Sequence, residues 1–167
     1  MTEFRLMSDA FAADGYFSKE QELNDPAFGA SGGNRSPALR WEGVPDEAKS
    51  LALTVYDPDA PTGSGFWHWV VVNLPVATRS LPMDAGRAAG DLLPPGAVQM
   101  ANDYGLPGFG GFAPPKGDKP HRYIFRIHAL KVASLPLDAH KTNAVARFML
   151  HLNEIDSATV TGLYEIS

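Results

Sequence analysis

Four titratable side chains carry the chemistry that this chain could perform. Asp57 and Asp59 stand in Asp57-Pro-Asp-Ala-Pro61. His68 lies inside Phe66-Trp-His-Trp-Val-Val-Val-Asn73, and His121 opens His121-Arg-Tyr-Ile-Phe-Arg-Ile-His-Ala-Leu130. Carboxylates and imidazoles that converge on one pocket suit general acid–base catalysis, and they equally suit the orientation of a small bound molecule. A polar cluster opening onto an apolar face is what a small binding pocket requires.

The flanking patterns say how these groups are held. Leu51, Leu53 and Val55 alternate with Ala52, Thr54 and Tyr56, the pattern of a half-buried strand. Pro58 and Pro61 cannot donate ladder hydrogen bonds, so that strand ends at Asp57, and Thr62-Gly-Ser-Gly65 is turn chemistry. The run from Phe66 to Val72 is apolar on both parities, which predicts a strand covered on both faces. In the third run His121, Tyr123, Phe125 and Ile127 share one face, and Arg122, Arg126 and His128 share the other.

Each candidate also has a plainer reading. Asp57 and Asp59 could simply cap local N–H groups in a turn. A buried carboxylate needs a partner, however, and Arg122 is the candidate, which leaves one Asp structural and the other facing the pocket. A histidine between two tryptophans in an apolar strand is commonly a satisfied core residue. Tyr123 shares the face of His121, so its hydroxyl either reaches the pocket or packs in the core. Asn102-Asp-Tyr-Gly105 reads as pocket rim or simple turn, and Lys116 and Lys119 as solvated loop charges. His128, His140 and His151 read as surface or core. Ser64 is a poor nucleophile, because Gly63-Ser64-Gly65 lacks the Gly-x-Ser-x-Gly elbow between strand and helix. A metal site from Asp57, His68 and His121 is a third option on which the spacing is silent.

The rest of the chain builds the frame. Phe4 to Met7 reads as an edge strand, Ala10 to Glu22 and Asn24 to Ser36 as loops, and Pro37 to Trp41 as a short strand that buries Trp41. Residues 75–120 hold eight Pro and eight Gly, too many for helices or long strands. Leu92, Leu93, Val98, Met100, Tyr104, Phe109 and Phe112 supply anchors, so this segment is expected to be ordered and draped around the pocket. From Asp138 to Asn153 the period changes. Val145, Phe148, Met149 and Leu152 fall at i, i+3, i+4 and i+7, predicting an amphipathic helix with Thr142 as N-cap. Thr159 to Ile166 returns to a strand pattern. The expected fold is mainly β, an antiparallel β-sandwich in one domain with one or two peripheral helices.

Composition narrows the function classes. The 167 residues carry 14 Lys and Arg against 19 Asp and Glu, a net charge of −5, which argues against non-specific binding to nucleic acid or anionic membranes. There is no cysteine, so disulfides and thiol catalysis are excluded. The acidic residues within Met1 to Phe17 are not those of a signal peptide, and no apolar run is long enough to span a membrane. A cytoplasmic protein is expected.

Three separated motifs resemble the phosphatidylethanolamine-binding protein family, also called the Raf kinase inhibitor protein family. They are Asp57-Pro-Asp-Ala-Pro61, Trp67-His68 running into Val70-Val-Val-Asn73, and Pro114-Pro-Lys-Gly117 followed by His121-Arg-Tyr123. The run Thr54 to Trp69, with Asn34 to Trp41 and Asn102 to Gly105, is similar to the bacterial branch. The resemblance implies the sandwich fold and a small pocket lined by Asp57, Pro61, His68, Gly111, Ala113, Pro114, Pro115, His121 and Tyr123, with Asp59 and Arg122 as a structural pair beside it. It implies binding of a small anion or phosphorylated head group, without cofactor or metal. It is compatible with regulation through a protein partner and with a homodimer. Imidazole N–H groups and a nest of backbone N–H groups at Gly110-Gly-Phe-Ala113 would serve the anion. Trp67 stands where animal members carry a second histidine, and Ala113 where they carry glycine, so Raf inhibition is not carried over. The competing reading is a hydrolase or cyclase using Asp57, His68 and His121 as acid and base.

Overall fold

A computed structural model describes residues 2–167. The chain runs through β1 (Arg5–Met7), β2 (Asn24–Asp25), β3 (Ala30–Ser31), β4 (Leu39–Glu42), β5 (Ser50–Asp57), β6 (Phe66–Pro75), β7 (Ser80–Leu81), β8 (Val98–Gln99), β9 (His121–Leu130), α1 (Asn143–Asn153) and β10 (Glu154–Tyr164). Two short 3-10 turns, Lys19–Gln21 and Pro26–Phe28, flank β2. The pairings between these strands are antiparallel. The larger sheet has the order β10-β9-β5-β6-β8, the smaller one β1-β4-β7, and β2 pairs only with β3.

The two main sheets pack on a core built from period-2 side chains. Leu6, Leu39, Trp41 and Leu81 of the small sheet meet Leu51, Leu53, Val55, Trp69, Val71, Phe125 and Ile127 of the large one. The opposite face of the large sheet is also covered. Ala52, Val70, Val72 and Leu130 pack there against Ala146 and Leu150 of α1 and the loop residues Leu135 and Leu137. This corrects the half-buried reading of the Leu51 strand: Ala52 and Thr54 are as enclosed as Leu51 and Leu53, because the helix lies over them.

Among the described residues α1 is the one α-helix. Thr142 caps it, its hydroxyl accepting the Val145 N–H at 3.3 Å. The expected inward stripe is only partly right. Phe148 and Leu152 are 63% and 54% exposed, and Val145 is exposed too, whereas Met149 packs partly buried beside Ala146 and Leu150, which face the sheet, and Asn143 is buried. The small side chain of Ala146 lets the helix sit close to the strands. The edge strand, the burial of Trp41 and the closing C-terminal strand stand as expected, with β10 starting earlier, directly at the end of α1.

The Pro- and Gly-rich segment forms only the two-residue strands β7 and β8, yet it is anchored by Met100, Phe109 and Phe112, all buried. Leu92 is exposed instead. No helix among the described residues is long and apolar enough to cross a membrane.

Candidate functional site

Asp57 ends β5 on the core-facing parity and is buried. Its Oδ1 accepts the Asp59 N–H at 2.7 Å, as in the plainer turn reading. Its Oδ2 lies 2.7 Å from His121 Nδ1. His121 Nε2 lies 3.0 Å from Asp118 Oδ2, so both ring nitrogens face carboxylate oxygens. Carboxylates accept and do not donate, so both bonds are satisfied together only by a doubly protonated ring. Burial alone would lower the pKa of His121, but hydrogen bonds to Asp57 and Asp118 outweigh it and hold the imidazole above its usual value. Burial pushes the Asp57 carboxyl up, against the opposing pull of His121 and the Asp59 amide.

Asp59 turns the other way. Its carboxylate takes Arg122 in a fork, Nη2 to Oδ1 at 2.8 Å and Nε to Oδ2 at 3.0 Å, and also accepts the Arg122 backbone N–H at 2.9 Å. The hydrogen bonds from Arg122 keep its pKa low. The guanidinium is thereby held outside the pocket.

His68 reaches the site through an irregularity. Val55 pairs with Trp69 and Tyr56 with Trp67, so β6 carries one extra residue there, a β-bulge at His68. Strict alternation would send His68 to the helix side with Val70. The bulge instead places it with Phe66, Tyr123 and His121. The ring is buried, with Nδ1 2.7 Å from Gly110 O. A carbonyl only accepts, so Nδ1 carries the proton and Nε2 offers a lone pair. Burial lowers the pKa to about 4, which keeps the ring neutral at pH 7.

These residues enclose a chamber of about 180 Å³. Asp57, Pro61, His68, Ala113, Pro114, Pro115, His121 and Tyr123 all line it, joined by Phe28, Phe66 and Tyr104. Tyr123 lies flat on Phe112, ring centroids 3.7 Å apart, and its hydroxyl is buried without a hydrogen-bond partner among the described residues. The proposed nest of N–H groups is spent elsewhere. Gly110 N donates to His68 O, Gly111 N to Asn34 Oδ1 and Phe112 N to Gln21 O. Gly111 is thus absent from the chamber lining, and of that turn only the Ala113 N–H lacks an acceptor among the described residues. A larger cavity of about 700 Å³ lies next door and shares the walls Phe28, Phe66 and Tyr104. Among the described residues no cluster of three or more His, Asp or Glu side chains is arranged to hold a metal ion.

The model of the family described as phosphatidylethanolamine-binding protein matches residues 13–165. The chain belongs to that family. It is 57% identical over 139 residues to the UPF0098 protein YbcL of Escherichia coli, covering 83% of this chain and 76% of the relative. It is 46% identical over 137 residues to the UPF0098 protein YbhB of the same organism, covering 82% and 85%. The crystal structure of E. coli YbcL, described as a new member of the mammalian PEBP family, superposes with a TM-score of 0.96 at 49% identity, covering 99% of this chain and 100% of that one. A putative phosphatidylethanolamine-binding protein homolog from Chlamydia trachomatis gives a TM-score of 0.79 at 30% identity, with 98% of each chain covered.

In this phosphatidylethanolamine-binding protein family member, sequence reasoning overlooked Asp118, Phe28 and Phe66. Asp118 stands three residues before His121 in a turn, and that spacing was its only signal. Phe28 and Phe66 had none, since their roles come from the fold of the Pro- and Gly-rich segment and its Tyr104 between them. The roles left open for His128 resolve to a buried ring, bonded to Glu154 and Thr54 on the far side of the large sheet.

Proposed function

We propose that this protein binds a small oxyacid, with a phosphorylated head group as the leading case, in the chamber formed by Asp57, His68, His121 and Tyr123. The observation that carries this reading is the buried, unpartnered hydroxyl of Tyr123. An orphaned buried hydroxyl costs about 1–3 kcal/mol, and a ligand oxygen would relieve it. The Ala113 N–H, without an acceptor among the described residues, belongs to a residue that lines the same space. The neutral His68 offers an acceptor at Nε2, so the ligand must also donate. A monoprotonated phosphate ester or a protonated carboxylic acid does both. A fully ionised phosphate does not, and it would meet the Asp57 carboxylate. This changes the part expected of the imidazoles: the His121 N–H groups are occupied by Asp57 and Asp118, and His68 accepts rather than donates. The body of a larger ligand would rest in the adjoining cavity, against Phe28 and Tyr104.

The test is a titration with inorganic phosphate, O-phosphoethanolamine and acetate, following the ring signals of His68 and His121 by NMR. The reading expects saturable shifts that weaken about tenfold in Tyr123→Phe, the worth of one charge-assisted hydrogen bond. It also expects affinity to fall as pH rises through the second phosphate pKa of about 6. No saturable shift with any of the three would end the proposal.

One observation favours an enzyme as the second reading. The Asp57–His121–Asp118 chain can pass a proton from a buried carboxyl to a half-exposed one. Turnover of phosphate or carboxylate esters that disappears in His121→Asn would move this reading ahead of simple binding.

A further inference from the structure

The far face of the large sheet holds a second cleft, of about 240 Å³, beside α1. Trp67, Arg126, His128, Arg147, Leu150 and Glu154 line it. The arginines here differ from most others in the chain. Arg5, Arg35, Arg40, Arg87 and Arg122 each pair with a carboxylate. Arg126 and Arg147 have no carboxylate partner among the described residues, and both face this cleft.

Both guanidinium groups are held in place by neutral contacts that leave N–H donors over. Arg147 lies above the Trp67 ring, 4.1 Å from its centroid, and its Nε donates to Asn143 Oδ1 at 3.0 Å. Asn143 is buried and fixed in turn by the Ala101 carbonyl and Asp103. Arg126 uses one Nη1–H on Ser157 Oγ at 3.1 Å. The one carboxylate in the lining, Glu154, is engaged by His128 Nδ1 at 2.5 Å, and His128 Nε2 accepts from Thr54. Asp103, near Arg147 but outside the lining, is occupied by the Trp67 N–H and Asn143. Two guanidinium groups without a carboxylate partner, Arg147 held by two contacts and Arg126 by one hydrogen bond, therefore line one small space in a protein of net charge −5. Guanidinium forks match the geometry of a tetrahedral or planar oxyanion.

We propose that this cleft is a second, independent site for a small oxyanion, of the inorganic phosphate or phosphate monoester class, held by Arg126 and Arg147 against the Trp67 wall. It shares no lining residue with the Tyr123 chamber and does not depend on the reading of that chamber. The volume suits a phosphate with a short carbon tail and is small for a nucleotide.

Trp67 makes the test direct. The indole N–H of Trp41 is bonded to the Thr78 carbonyl and that of Trp69 to Gln99, so the two serve as internal references. Protein carrying 15N-tryptophan, in a Tyr123→Phe background, is titrated with sodium phosphate, with glycerol 3-phosphate, and with sodium chloride at matched ionic strength. The Trp67 indole signal, assigned by Trp67→Phe, is expected to shift saturably with phosphate, and the apparent Kd to rise at least about tenfold in Arg126→Gln and in Arg147→Gln. Arg147→Lys keeps the charge but loses the fork, and an intermediate loss is expected. A tighter Kd for glycerol 3-phosphate than for phosphate identifies an ester as the occupant; the reverse identifies the free ion. Arg126 is partly exposed and bonds only Ser157, so its variant leaves the fold intact should Arg147→Gln disturb Trp67. The proposal is overturned by an unsaturable Trp67 shift, by an equal shift with chloride, or by a phosphate response that survives Arg126→Gln.

Discussion

Asp57 Oδ2 and His121 Nδ1 meet at 2.7 Å with both side chains almost wholly enclosed, Asp118 closing the far side of the ring. His121 is thereby held above its usual pKa in the folded state. A raised folded pKa adds stability that is fully present below the unfolded value of about 6.5 and is lost as pH rises through the folded one. Wild-type stability relative to His121→Gln is therefore expected to decline from about pH 6.5 upward. Urea titrations from pH 5 to 9 measure this; parallel curves for the two proteins contradict it. Asp57→Asn should cost roughly 3–5 kcal/mol near pH 6, because it removes one partner of a buried pair.

His68 predicts the opposite limb. Its folded pKa of about 4 lies below the unfolded 6.5, so the unfolded chain binds more protons in between. Stability contributed by the neutral ring is present above about pH 6.5 and lost as pH falls toward 4, in total roughly 3 kcal/mol. In His68→Gln, whose amide can still donate to Gly110, acid unfolding should move to lower pH. An unchanged acid midpoint would place the sensitivity in other groups.

Removal of the Tyr123 hydroxyl should separate folding from binding. Tyr123→Phe keeps the stack on Phe112 and deletes only the orphaned oxygen. Thermal and urea unfolding are expected to show equal or greater stability, by up to about 1 kcal/mol. A variant destabilised by more than about 1 kcal/mol would mean that the hydroxyl has a structural partner.

The Asp59–Arg122 fork has ideal geometry, but the Arg122 side chain is 56% exposed. Solvent screening should hold its coupling to about 1 kcal/mol or less in a double-mutant cycle of Asp59→Ala and Arg122→Ala. A much larger coupling would make the pair a cornerstone of the β5–β9 junction.

The orientation of α1 is also open to mutation. Leu150→Ala should cost about 2–5 kcal/mol, as a core truncation. Phe148→Glu should be nearly neutral, within about 0.5 kcal/mol. The reverse ranking would restore the stripe that periodicity picked out.

The strands of the sandwich were readable because alternation and breakers report local geometry directly, as in Tyr123-Ile-Phe-Arg-Ile127 and in the Pro58 and Pro61 stops. What alternation cannot report is what lies on the outer face. Ala52 and Thr54 look solvent-tolerant, yet α1 covers them. The helix itself was legible through its period and the Thr142 cap. Its inward face was not, because a small Ala146 packs better on a sheet than the bulkier Phe148. In the chamber, the lining residues Asp57, His68, His121 and Tyr123 could be named from residue type and resemblance. Their protonation pattern could not, since it depends on Gly110 and Asp118 arriving from a segment without periodicity.

The bulge at His68 has a consequence for how the protein could have come by its site. With His68 removed, Trp67 and Trp69 become neighbours, and the stretch from Phe66 to Val72 alternates between the two faces of the sheet; a second irregularity, between the Leu53–Val71 and Leu51–Leu74 pairs, is untouched. His68 is in this sense a guest in that stretch of the ladder, which is complete without it. A single-residue deletion there is expected to spare the sandwich while emptying the chamber of one imidazole. Architecture and chemistry are thus written in separable letters of the same strand, and one can be edited without erasing the other.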